Sequence, residues 1–188
     1  KYGSDKPDLR IPIEIAEVGD LFRESKFNAF RNVVEKGGVV RAIPVRSIAD
    51  KPRSFFDKLE EFAKAAGAKG LGYLVWGADN VKGPIAKFMT AGELSALAAR
   101  CGVGNNDVVF FVADVVKTAS KVAGELRVKL GRDLDLVEKD VYRFCWIVDF
   151  PFFEFDEEEH KVVFSHNPFS MPRGGLKALE GANPLDVV

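Results

Sequence analysis

Between Val39 and Leu130, short β-branched runs alternate with amphipathic helical stretches. That alternation is the tightest constraint on the fold. Val39 to Val45 (VVRAIPV) predicts a strand, with Pro44 marking an edge or the strand's end. Ser54 opens a predicted helix, its hydroxyl placed to accept the Asp57 amide. Phe55, Leu59, Phe62 and Ala66 recur at helical spacing, while Lys58, Glu61 and Lys64 lie off that face. Gly67 is placed to stop the helix in the left-handed region. Leu71 to Trp76 predicts a second strand. Thr90 and Glu93 make a capping box for a second helix, with Leu94, Leu97 and Ala98 inward and Gly102 at its end. Asp107 to Ala113 (DVVFFVA) is apolar enough to be a central strand. Val115 to Leu130 then places Ala119, Val122, Leu126 and Leu130 on one face. The expectation is a two-layer α/β unit with its helices on one side of the sheet.

The flanks read differently. Lys1 to Pro12 is polar, and Pro7 and Pro12 oppose regular structure. Val18 to Ser25 fits a short helix with Leu21 and Phe22 inward. Tyr142 to Phe150 (YRFCWIVDF) is continuously apolar enough to predict a strand buried on both sides, broken by Pro151. The acidic tract Asp156 to Glu159 reads as a solvated hairpin tip before a strand at Lys161 to Phe164. Ser165 to Pro172 (SHNPFSMP) reads as a loop. The class expected for the whole chain is α+β.

Composition mainly excludes. The 188 residues carry a formal net charge of −1, which rules out a general polyanion-binding surface but not a local basic patch. Sixteen of the aromatic residues are Phe, which build core more readily than hydrogen-bonding platforms. Cys101 and Cys145 do not form a C-x-x-C pair, so a reducing, cytoplasmic compartment is expected. No apolar run approaches the ~18 residues a membrane helix needs, so no membrane partner is expected. Motif-like text at both ends suggests a piece of a longer chain.

Most residue types that could carry chemistry have a plainer reading. There is no P-loop, and Gly67, Gly70 and Gly72 read as a helix stop and a turn before a strand. Gly174 and Gly175 read as a turn. His160, His166, Cys101 and Cys145 lack metal-ligand spacing. Arg127 to Arg132 (RVKLGR) is a basic cluster that suits a helix C-terminus. Whether Arg127, Lys129 and Arg132 touch nucleic acid stays open on sequence alone. Asp149 and Glu154 could serve as paired carboxylates only if they converge. Asp5 and Asp8 read as a local ion-paired turn. His166, between a strand end and a proline, is well placed to face a pocket and to donate a hydrogen bond to a carboxylate.

Taken in order, Tyr2 to Arg10 (YGSDKPDLR), an α/β insert, Asp149 to Glu154 (DFPFFE) and His166 to Ser170 (HNPFS) resemble bacterial-type aspartyl-tRNA synthetase. The insert resembles the GAD domain in phrases such as AKGLGYLVW, GPIAKF and ELRVKLGRDL. The resemblance implies a GAD insertion domain over residues 26–124. It implies segments of a class II catalytic core, with its antiparallel sheet, over 1–25 and 125–188. It implies a homodimeric cytoplasmic parent that activates L-aspartate with ATP and Mg2+ and transfers it to tRNA(Asp). The family loop is usually written HHPFT, and its first histidine contacts aspartate; that role falls on His166. Asn167 and Ser170 depart from the pattern. The variant HNPFSMP resembles alphaproteobacterial members, some of which also charge tRNA(Asn). No residue here matches the family's arginine for the side-chain carboxylate, and the ATP-holding motifs are missing. The chain alone is therefore expected to be inactive. Two other readings stand: a GAD-containing subunit of the tRNA-dependent amidotransferase, and a non-catalytic module binding tRNA or protein.

Overall fold

Val108–Asp114 (β5) is buried along almost its whole length, so it needs apolar cover on both faces and a strand on both edges. The computed structural model describes residues 1–156, 158–165, 171–180 and 183–188, and it supplies both. The chain forms two units, Lys1–Arg143 and Phe144–Val188, each described by itself.

In the first unit, β1 (Ala16–Glu17), β2 (Val39–Val45), β3 (Gly72–Trp76) and β4 (Val81–Lys82) join β5 in an antiparallel sheet ordered β1-β2-β5-β3-β4. The expected central strand is therefore central. Ala42 of β2 pairs with Phe111 on one side and with Ala16 of the two-residue β1 on the other. The Val18 amide donates to the Val40 carbonyl, so even-numbered residues of β2 face β1. Pro44 faces that same side beyond the end of β1, where no ladder bond is lost.

Four helices cover the sheet: α1 (Asn28–Glu35), α2 (Arg53–Ala65), α3 (Ala91–Cys101) and α4 (Val116–Asp133). The α+β class holds, but the helices are not all on one side. Ile43, Val45, Val108, Phe110 and Val112 pack with α2 and α4 through Phe56, Leu59, Val122 and Leu126. Val40, Ala42, Val109 and Phe111 pack with Phe30 of α1 and Leu97 of α3. Amphipathicity gives each helix an inward stripe without choosing the face of the sheet it meets. The doubly buried β5 required cover on both.

Local signals were mostly kept. Thr90 and Glu93 form the reciprocal capping box, and Gly102 ends α3 at φ +61°. Gly67, at φ +107°, closes α2: its amide bonds Lys64 O, and the Ala68 amide bonds Ala63 O. α2 begins one residue before Ser54, at Arg53, with Pro52 as its N-cap and no side-chain cap bond. Its buried line is Phe56, Leu59 and Ala63, with Phe55, Phe62 and Ala66 beside it. α4 carries the four expected residues fully buried but runs on to Asp133, so the expected boundary at 124/125 lies inside a continuous helix. The helix expected from Val18 is a 3-10 turn at Gly19–Phe22, with Phe22 buried.

The second unit holds a hairpin of β6 (Phe153–Asp156) and β7 (Lys161–Phe164). Of the acidic tract, Asp156, Glu158 and Glu159 lie at its tip, where Asp156 Oδ1 accepts the Glu158 and Glu159 amides. The expected doubly buried strand at Tyr142 to Phe150 is corrected. Residues 141–148 pair with no strand among the described residues, and Tyr142, Phe144 and Trp146 are about 90% exposed (89%, 90% and 93%). An apolar run supplies the side chains of a central strand but cannot supply its neighbours.

Candidate functional site

The N-terminal signature is held by one buried cation. Arg127 of α4 is 1% exposed. Its Nε donates to Ile13 O at 2.6 Å, and its Nη2 donates to Asp8 O at 2.9 Å and Ile11 O at 2.8 Å. The guanidinium also lies 4.9 Å from the Tyr2 ring centroid. A planar fork of donors suits a turn of chain whose carbonyls converge. Burial lowers the Arg127 pKa from its ordinary value. So the first arginine of RVKLGR serves the fold and is shut off from any nucleic acid.

The rest of the signature is ion-paired locally, as expected. Lys6 meets Asp5 at 2.8 Å. Arg10 donates through Nε and Nη2 to the two oxygens of Asp8, at 2.9 and 2.8 Å. That guanidinium holds the Asp8 carboxyl down at about 2. Because the folded value lies below the unfolded one, the contribution is whole above about pH 4 and fades as pH falls through 2. Asp8→Asn should therefore flatten the loss of urea resistance between pH 5 and 2.5. Parallel acid profiles of variant and wild type would show the pairing to be idle.

Asp107 has a structural role too. It accepts from Arg46 Nη1 at 2.8 Å, the Gly104 amide at 2.9 Å and the Ser47 amide at 3.0 Å. Burial pushes its carboxyl up, but the Gly104 amide, Arg46 and the Ser47 amide outweigh this and hold it below the usual range. Cys101 is buried, and burial pushes its thiol up to about 11, while Cys145 is exposed. Gly67 and Gly72 serve as a helix stop and a strand start. Gly174, left-handed at φ +92°, caps a 3-10 segment that begins at Gly175.

In the second unit the paired carboxylates do not converge. Asp149 meets Arg173 Nη1 at 2.5 Å, while Glu154 is exposed in β6 opposite Val163. His160 is exposed. His166, with Asn167 and Ser170, lies outside the described residues. On either side of 166–170 the chain is tied to the DFPFFE stretch. The Ser165 amide donates to Phe152 O at 3.2 Å, and its hydroxyl donates to Pro151 O. Arg173 reaches Asp149 and bonds Val188 O through its amide at 2.6 Å. Asp149, Phe152, Met171 and Arg173 line a cleft of about 250 Å3. The Asp149–Arg173 pair was missed in the sequence because its partners are 24 residues apart.

An antiparallel sheet covered by helices on both faces, followed by a hairpin unit, defines the chain as an α+β protein. Residues 30–123 match the family model of the GAD domain, and the chain belongs to that family. It is 55% identical over 187 residues, 99% of its length, to the aspartate–tRNA(Asp/Asn) ligase of Rickettsia felis. It is 52% identical over 188 residues to that of Ehrlichia chaffeensis, and 53% over 189 residues to that of Anaplasma phagocytophilum. It covers 99–100% of its own length in these matches but spans only 31–32% of these relatives' length.

Proposed function

We propose that the chain is part of an aspartate–tRNA ligase that activates L-aspartate with ATP and attaches it to tRNA(Asp) and tRNA(Asn). The observation that carries this reading is the extent of the identity. It runs through residues 1–29 and 124–188, outside the GAD match, where an amidotransferase subunit or a lone binding module has no reason to follow a ligase. In this reading residues 26–124 are the insertion domain, and 1–25 and 125–188 belong to the catalytic domain of a cytoplasmic homodimer. Among the described residues no helix is long and apolar enough to cross a membrane. Nor could any group of three or more His, Cys, Asp or Glu hold a metal ion there. In this reading ATP and its Mg2+ are held by the parent enzyme, and the chain alone is inactive because the family's ATP-holding motifs are not in this sequence.

In this reading His166 hydrogen-bonds the bound aspartate, and its described flanks support a place beside the DFPFFE stretch: Ser165 bonds Phe152 O and Arg173 pairs with Asp149. The test uses the full-length protein. His166→Ala should lower kcat/KM for aspartate at least about tenfold with an unchanged circular dichroism spectrum. A wild type that puts no aspartate on tRNA would remove the ligase reading. An unaffected variant would remove the role of His166 alone.

A further inference from the structure

The basic cluster at the end of α4 divides in two. Arg127 points inward, while Lys129 and Arg132 line a groove of about 610 Å3 on the outer side of the helix. Lys121, Phe62 of α2 and the Gly3–Ser4 turn of the signature complete its walls. At about 100° per residue, Lys121 and Arg132 fall within about 20° of one another, three turns and about 16 Å apart along the axis. Lys129 sits between them, 5.3 Å from the Phe62 centroid and 2.8 Å from Asp133, which offsets its charge. Lys121 and Arg132 have no ion-pair partner among the described residues, and both are exposed. Glu125 also lies in the groove, yet the lining carries one net positive charge on a chain whose total is −1.

We propose that this groove takes the phosphate backbone of the tRNA, with Lys121 and Arg132 as its two phosphate contacts. The proposal rests on the ligase reading for the identity of the polyanion. Two unpaired cations in line on a rigid helix match the row of phosphates along one strand. A small anion would need donors that converge on one point instead. Phe62 and the stem of Lys129 form an apolar floor between the two contacts.

The experiment is equilibrium filter binding of uncharged tRNA(Asp) by the full-length protein across a salt series. It compares wild type, Lys121→Glu/Arg132→Glu and the conservative Lys121→Arg/Arg132→Lys. The charge reversal should weaken binding about tenfold at low salt and make the log–log salt slope shallower by about 1.5, as two lost phosphate contacts require. The conservative pair should keep both near wild type. Equal affinity and slope in all three would overturn the groove while leaving the ligase reading untouched. Equal losses in both variants would mean that shape rather than charge was disturbed, and would overturn it too. Wild-type protein that binds tRNA through these residues but never aspartylates it would support the groove and overturn the ligase.

Discussion

Arg127→Met is expected to destabilise the first unit by about 4 kcal/mol, read as a fall in the urea midpoint at pH 7 with little change in slope. The substitution keeps a long side chain, so the helix and most of the packing volume are retained. What it removes is the donor set for the carbonyls of Asp8, Ile11 and Ile13. A buried acceptor left without a partner costs about 1–3 kcal/mol; Ile11 O and Ile13 O lose their donor, while Asp8 O keeps the Ile11 amide at 3.3 Å. Water entry would recover part of that, since residues 8–10 are only partly buried. Arg127→Lys should fall between, because one ammonium on a shorter reach cannot serve three separated carbonyls. It also gives a readable variant if Met at 127 prevents folding. A loss below about 1 kcal/mol for both would mean that the N-terminal turn holds itself.

That arginine also shows where the sequence could be read and where it could not. Capping boxes, helix stops and strand runs are local, so Thr90 with Glu93, Gly67 and Val39–Val45 were legible from neighbouring residues. α1 was not. It starts at Asn28 behind Phe27, with no side-chain cap to mark the boundary, and buries only Phe30. Arg127 looked like a dipole partner at a helix end because nothing nearby in sequence says that carbonyls 114 to 119 residues away will meet it. The segment after Tyr142 failed in the opposite way: its composition was read correctly, but its neighbours lie nowhere in the described residues. For the candidate site, the order of the motifs was legible and the tie between Asp149 and Arg173 was not.

The second large effect is expected at Gly124. Alanine in mid-helix ordinarily gains about 1 kcal/mol over glycine. At Gly124 a Cβ would lie 2.6 Å from Gly3 O and 2.9 Å from Gly3 C, and these are backbone atoms. Gly3 itself sits at φ +68°, with its own Cβ direction blocked by Ser120 O at 2.3 Å, so the two segments touch backbone to backbone. Relief requires residues 1–5 to lift away from α4, which would strain the Arg127 bonds that hold residues 8–13 just beyond. Overpacking of this kind costs about 1–3 kcal/mol and sometimes more, which outweighs the helical gain. Gly124→Ala should therefore lose about 2–3 kcal/mol and raise amide exchange at Ile15, whose N–H bonds Lys1 O. Gly131, one helix end away, is the contrast. The nearest atoms to a Cβ there belong to the buried, β-branched Ile11 side chain, at 2.8–2.9 Å, so side-chain repacking rather than main-chain displacement must absorb it. Gly131→Ala should therefore cost less than Gly124→Ala. If the two alanines cost the same, the backbone contact between the signature and α4 is not what fixes the N-terminal segment, and Arg127 holds it alone.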